Sequence, residues 1–383
     1  MSEKTPALTR VLVAADLHLG APQGRIGGWD NERQSYRSWI ESGDRVKDLV
    51  SYANQNDVDL ILLAGDIFDS GNPHPEVVAD FLGALNQLSP NIQVIAIEGN
   101  HDQRFIVNQH RTPLDAYLSS QANVVEVVKD PGIVEAKGLR VACLPWIRVG
   151  GSGEVEDKQA HAEQEVLRLA EEGADIFIGH LTLSDIDLFR GSESSMTTNV
   201  LEVALPSSLL ASGPWEAALL GHVHSRQFFG DKVNYVGSTH RVSFKEEKDD
   251  KGFDILDFDA NGKLVDREFV ELDGISYFTV EFGNALSERR AKRNVSSGDM
   301  VRIQVHGVDV DEAASLLSEF RELGANTSLV IIQDEADLVT STREGMEITT
   351  TPFDAIKDYG ERSGLGEATL KRVLKTFSDL VTE

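Results

Sequence analysis

Five apolar runs in this chain end in polar residues of one chemical kind. Residues 10–16 (RVLVAAD) lead into Asp16-Leu-His18. Residues 59–66 (DLILLAGD) end in Gly65-Asp66-Ile-Phe-Asp69. Residues 92–98 (IQVIAIE) lead to Gly99-Asn100-His101-Asp102, residues 174–179 (ADIFIG) to His180, and residues 216–221 (EAALLG) to His222-Val-His224. Short, β-rich apolar runs of this kind read as buried strands. In layered α/β proteins the loops at the carboxyl ends of strands converge on the ligand site. Five such ends would gather Asp, Asn and His side chains in one place. Burying so many polar groups without partners is costly, and metal ions supply the partner. A glycine before several of these residues fits a sharp turn or a close approach of another group.

Taken singly, each motif has a plainer reading. Gly-His is often a satisfied core histidine, GDxxD a helix-capping aspartate and GNHD a turn. It is their joint occurrence, in order and at strand ends, that points to metal. The set is rich in imidazole and carboxylate and contains no thiolate, which suits manganese, iron or zinc. It holds too many ligands for one ion. Two ions sharing a carboxylate would use them all, and such pairs serve in-line displacement at phosphorus.

Alternating strand and helix patterns fill the first two-thirds of the chain, with amphipathic helices expected at 43–56, 74–88 and 157–172. Closely spaced β runs follow from 227 to 270. This order implies an α/β layered domain over 1–273. A small α+β domain follows over 274–333, with strands at 276–282, 300–305 and 328–332 and a helix at 311–323. Residues 334–351 read as a linker. Residues 352–383 read as a C-terminal helical segment that starts at Thr351-Pro352. The 383 residues include a single cysteine, Cys143, in a strand-like run. That excludes an internal disulfide and a cysteine metal cage, and it favours a reducing cytoplasmic home. The polar start MSEKTPALTR lacks an apolar stretch, so no signal peptide is expected there, and no apolar run approaches the length of a membrane span. The net charge of −27 repels phosphate chains at long range. Action on nucleic acid would need metal cations, a local basic patch or a basic partner.

The motifs DLHLG, GDIFD, GNHD, GH and GHVH, in this order, resemble the calcineurin-like metallophosphoesterases. The stretches VDLILLAGDIFDSGNPHP and NYVGSTHRVSFKEEKDDKGFDILDF are similar to the SbcD branch of that family, DNA nucleases related to the archaeal and eukaryotic MRE-eleven. The resemblance implies an α/β/β/α sandwich with a small capping domain over 274–333. It implies one metal on Asp16, His18 and His224, a second on Asn100, His180 and His222, and Asp66 as the bridge. His101 would be no ligand; it would face the scissile phosphate and protonate the leaving oxygen. His222 and His224, two residues apart, would reach different ions of one pair. Two divalent ions, most simply manganese, are implied as cofactors. Exonuclease action on duplex ends, endonuclease action on single strands, a role in double-strand break repair, a homodimer and an SbcC-like coiled-coil ATPase partner are implied as well. The protein would then work at the nucleoid, or in a host cytoplasm if virus-encoded.

Asp69 and Asp102 are expected to orient histidines or turns around the ligands. His74 and His240 lie in loops that could border the site, while His110, His161 and His306 read as surface residues. Arg289, Arg290, Lys292 and Arg293 form a basic cluster that is either a solvated connection or a phosphate contact. Arg33, Arg37 and Arg45 form a looser group. In the C-terminal segment, Leu370, Val373, Leu374, Phe377, Leu380 and Val381 make one helical apolar stripe. A stripe on so short a tethered segment is expected to dock on the ATPase or on the capping domain. Two other functions remain open at this level. A small-molecule or cyclic-nucleotide phosphodiesterase would share the metal motifs without needing the domain after 274. A non-catalytic adaptor would be expected to have lost ligands, and none is lost here.

Overall fold

The computed structural model describes residues 8–21, 28–103, 112, 114, 125–147, 155–186, 203–306 and 310–332. The linker at 334–351, the segment at 352–383 with its apolar stripe, and His110 lie outside the described residues. The chain divides into two compact units, Met1–Gln304 with Asp311–Leu329, and Val305–Val310 with Val330–Glu383.

Two six-stranded sheets form the body. Numbered in chain order, the first contains β1 (Thr9–Ala14), β4 (Leu60–Leu63), β5 (Gln93–Ile97), β6 (Val125–Val128), β15 (Gly252–Phe258) and β16 (Leu264–Glu271), in the order β16-β15-β1-β4-β5-β6. Strands β1, β4, β5 and β6 are parallel; β15 and β16 extend the sheet antiparallel. The second contains β7 (Gly132–Ala136), β8 (Leu139–Leu144), β9 (Ile176–His180), β12 (Ala217–Gly221), β13 (Gln227–Phe229) and β14 (Val233–Tyr235), in the order β13-β14-β12-β9-β8-β7. Its central pairs are parallel and its two edge strands antiparallel. Two short pairs stand apart: β2 (Trp29–Asp30) with β3 (Ser35–Tyr36), and β10 (Thr182–Leu183) with β11 (Ala204–Leu205).

Alternation along each strand builds the layers, because successive side chains leave opposite faces. Val11, Val13, Leu60 and Leu62 from the first sheet meet Val141, Cys143, Ile176, Ile178 and Leu219 from the second. Leu12, Ala14, Ile61 and Leu63 point the other way, onto Val46, Leu49 and Val50 of α1 (Arg37–Gln55) and Val78 and Phe81 of α2 (Pro75–Leu85). On the far side, Phe177, Ala218 and Leu220 meet Val166 and Leu169 of α3 (Val155–Glu172) and Leu210 of α4 (Ser207–Ala211). The result is the expected α/β/β/α sandwich. Cys143 is fully buried between the sheets, where burial pushes its thiol up and keeps it inert.

Helix α1 begins six residues before its expected start at 43. Its first turns bury Ser38, Glu41, Ser42 and Gly43, so the apolar period becomes visible only at Val46. After the sandwich comes a three-stranded sheet of β17 (Tyr277–Glu281), β18 (Met300–His306) and β19 (Asn326–Ile332), in that order. It carries α5 (Ala285–Asn294) and α6 (Val310–Glu322). Helix α5 holds the basic cluster and was not expected. It buries only Ala291, too little for an apolar period, and is started by Asn284, whose side chain accepts the Ser287 N–H.

Candidate metal centre

The carboxyl ends of β1, β4, β5, β9 and β12 deliver the polar residues to one place between the two sheets. Asp16, His18, Asp66, His180, His222 and His224 are all buried there. They fall into two groups whose ligand atoms lie within 4.8 Å of one another, Asp16–His18–His224 and Asp66–His180–His222. Asn100 joins the second: its Oδ1 is 3.0 Å from His180 Nε2 and 3.0 Å from His222 Nδ1. One oxygen of Asp66, Oδ2, lies 3.3 Å from His180 Nε2 and 3.6 Å from His18 Nε2. It therefore stands between the groups. His18, Asp69 and His101 form a third group of similar size.

The local backbone is strained where the ligands sit. Of the seven non-glycine residues with positive φ among those described, four are Asp16 (51°), His18 (37°), Asp66 (49°) and His222 (93°). Each such conformation costs of order 1–3 kcal/mol and persists where surrounding structure enforces it. The enforcement is visible. Asp16 N–H and His18 N–H donate to the carbonyls of Gly65 and Asp66, and His222 N–H donates to Asp16 Oδ1. Close approach explains two glycines: a Cβ on Gly65 would overlap the His180 ring, and one on Gly99 would overlap the Asp66 carboxylate.

The donor set fits divalent cations. Carboxylate partners fix the tautomers: His18 Nδ1 is 3.0 Å from Asp69 Oδ1 and His224 Nδ1 is 3.2 Å from Glu246 Oε1. With Nδ1 of each ring turned to its carboxylate, both Nε2 atoms face the centre, 2.9 Å apart. A cation held between them suits that arrangement. His180 repeats the pattern. Its Nδ1 donates to the Ala64 carbonyl at 2.8 Å, which leaves Nε2 facing oxygens of Asn100 and Asp66. Asp16 Oδ2 is buried with no hydrogen-bond partner. Burial opposes charge on His180, but Asp66 and Asp16 outweigh it and raise the ring to about 9. Burial would likewise raise Asp66, yet the neighbouring histidines hold it well below the usual carboxylate range. These are carboxylates that hold positive charge close.

His101 is half-buried and edge-on to His18, with ring centroids 4.8 Å apart. Its N–H donates to Asp66 Oδ1 at 2.8 Å, and its Nδ1 donates to the Asp69 carbonyl at 2.8 Å. Asp69 thus orients two histidines, one through its side chain and one through its backbone. Asp102 does something else. It accepts the N–H groups of Ile67, Phe68 and Gly99, tying the GDIFD turn to the GNHD turn. Burial and the Asp66 charge push it up to about 6 against those bonds. His240 is buried, held below the usual imidazole range, at about 3, chiefly by burial. His74 is exposed at the start of α2, accepting the Glu76 N–H; His161 and His306 are exposed.

Two contributors carried no assigned role in the sequence. Glu246 and Lys251 form a fully buried pair at 2.8 Å. Lys251 Nζ also donates to the His224 carbonyl and to Ser238 Oγ. Burial would raise the Glu246 carboxyl, but Lys251 and His224 pull it well below its ordinary range. Its stabilising charge is therefore complete above that range and is lost as pH falls. Trp146 is the second; its ring lies 4.9 Å from that of His222. The segment KEEKDDKG did hold a signal, Glu246 and Lys251 five residues apart, but so short a charged run also reads as solvated loop. Lys251→Ala is expected to destabilise the fold by about 3–5 kcal/mol, because Glu246 would be buried without its partner. Urea denaturation checks this; a loss below about 1 kcal/mol would mean the pair is not desolvated.

Among the basic residues, Arg289, Arg290 and Arg293 are exposed on α5, whereas Lys292 pairs with Glu319 at 2.6 Å. Arg33, Arg37 and Arg45 each face a carboxylate, of Asp44, Asp30 and Asp48 respectively.

Residues 9–226 match the family model for the calcineurin-like phosphoesterases, more than half of the chain. The chain belongs to that family, a class of hydrolases. Within it, the similarity runs to proteins named as the SbcD component of the nuclease SbcCD. That of Staphylococcus epidermidis is 27% identical over 256 residues, covering 62% of this chain and 66% of the relative. That of Staphylococcus saprophyticus is 26% identical over 340 residues, covering 85% of this chain and 87% of the relative. Among solved structures, a dimetal phosphatase from Danio rerio overlaps 70% of this chain and 100% of its own at 14% identity and a TM-score of 0.41, too loose a likeness to carry an argument. No described helix is long and apolar enough to cross a membrane.

Proposed function

We propose that this chain is the nuclease component of an SbcCD-type complex and cuts DNA phosphodiester bonds at a pair of manganese ions. The reading includes exonuclease action on duplex ends and endonuclease action on single strands in break repair, in the cytoplasm and as a homodimer. The observation that supports it most is the Asp66 oxygen standing between two His-rich groups. Likeness to SbcD-named proteins over 340 residues supports the choice of DNA. Asp16, His18 and His224 would hold one ion, Asn100, His180 and His222 the other, and Asp66 both. Two bound divalent cations would polarise the phosphoryl group and acidify water. His101, its Nδ1 committed to the Asp69 carbonyl, would hand a proton from Nε2 to the leaving oxygen. Arg289, Arg290 and Arg293 would meet phosphates from α5.

The test is cleavage of end-labelled duplex and single-stranded DNA with manganese, with and without an SbcC-like ATPase. Manganese-dependent DNA cleavage is expected. Hydrolysis of cyclic nucleotides with DNA left intact would overturn the reading. The stripe from Leu370 to Val381 is the proposed anchor for the ATPase. Deleting 352–383 is expected to abolish co-purification with it while manganese-dependent phosphodiesterase activity persists. Unchanged complex formation would remove the anchor role.

A further inference from the structure

A row of aromatic rings stands beside the metal centre. Trp29 and Tyr36, on the short β2–β3 pair, are 46% and 47% exposed. Their ring centroids are 5.2 Å apart. Tyr36 lies 4.9 Å from Trp39, and Trp39 stacks on His74 at 5.0 Å and 30°. Four rings thus follow one another in steps of about 5 Å.

The topology puts this row on the catalytic edge. Strands β1 and β4 run parallel and deliver Asp16, His18 and Asp66 at their carboxyl ends. The helices that follow them, α1 and α2, start at that same edge and run back. Trp39 sits in the first turn of α1, and His74 caps α2. The Trp39 Nε1–H donates to the carbonyl of Gly20, two residues beyond His18. Five residue steps separate His74 from Asp69, the partner of His18, so their Cα atoms are at most about 18 Å apart. That is about five steps of 3.4 Å along a stacked strand.

The charge around the row is balanced. Arg33 pairs with Asp44 and Arg37 faces Asp30, so the surface offers no net attraction for phosphate. The chain as a whole carries −27. Ring stacking supplies affinity for nucleic acid without needing positive charge, and every base has a face to offer. Bases inside a duplex are stacked on each other, so only unpaired bases can use it.

We propose that Trp29, Tyr36 and Trp39 form a platform on which unpaired nucleobases stack, guiding a single-stranded or frayed DNA segment into the metal centre. The proposal rests on the nuclease reading above. The test measures dissociation constants of the full chain, with EDTA present to hold cleavage off, for short oligothymidine and for blunt duplex of equal length. The double variant Trp29→Ala with Tyr36→Ala is expected to lose about 10- to 100-fold in affinity for the single strand, about 1.4–2.8 kcal/mol. Affinity for the duplex is expected to change less than about threefold. The variant Trp29→Phe with Tyr36→Phe is expected to keep most single-strand affinity, which separates loss of stacking from a damaged loop. Equal single-strand affinity in the alanine variant and the parent would overturn the platform while leaving the nuclease reading intact. A parent protein that binds neither DNA would likewise overturn the platform, while the manganese cleavage assay above decides the nuclease reading on its own.

Discussion

Asp66→Ala is expected to abolish phosphodiester hydrolysis and to lower the metal content of the protein. The reason is the position of one oxygen. Asp66 Oδ2 is within 3.6 Å of ring nitrogens from both groups, and Oδ1 accepts the His101 N–H. Removing the carboxylate takes away the oxygen that would serve both ions and unties the turn that carries His101. A buried carboxylate among three imidazoles cannot be replaced by solvent without reopening the site. Elemental analysis after manganese loading reads the outcome directly. Two ions per chain in the variant would show that Asp66 is no bridge, whatever happens to activity.

For His101→Ala the expected pattern is the opposite one: metal content close to that of the parent, and a rate lower by about 10²–10⁴-fold, the range of a lost general acid. His101 also groups with His18 and Asp69 closely enough to hold an ion. The two readings part at the metal assay. If occupancy collapses with the imidazole, His101 is a ligand and the proton must come from elsewhere. The pH dependence adds a second readout, since a missing general acid removes the high-pH limb of the rate profile.

Much of the centre was legible in the sequence because strand ends are short-range features. Asp16, Asp66, Asn100, His180 and His222 each follow an apolar run directly, and the sandwich brings those runs' ends together. What could not be read depends on contacts across the fold. Glu246 meets His224 only after the chain has crossed β13 and β14, and Lys251 completes the pair only once both are buried. Asp102 was expected to orient a histidine or a turn, but that it ties two turns through three backbone N–H groups depends on contacts outside GNHD. The start of α1 was hidden because its buried face opens on serine, glutamate and glycine. The aromatic row was invisible for a similar reason: Trp29, Tyr36 and Trp39 have no common period until a hairpin and a helix meet.

Each half of the centre draws on both sheets. Asp16 and His18 come from the end of β1 and His224 from beyond β12; Asp66 and Asn100 follow β4 and β5, while His180 and His222 belong to β9 and β12. No half can be assembled by one sheet alone. The layer of Val13, Leu62, Ile178 and Leu219 between the sheets therefore acts as a gauge block that sets how far apart the two halves of the centre lie. A close-packed interior responds to the gain or loss of a single methylene. Side chains that belong to neither half are thus part of the ruler that spaces the centre.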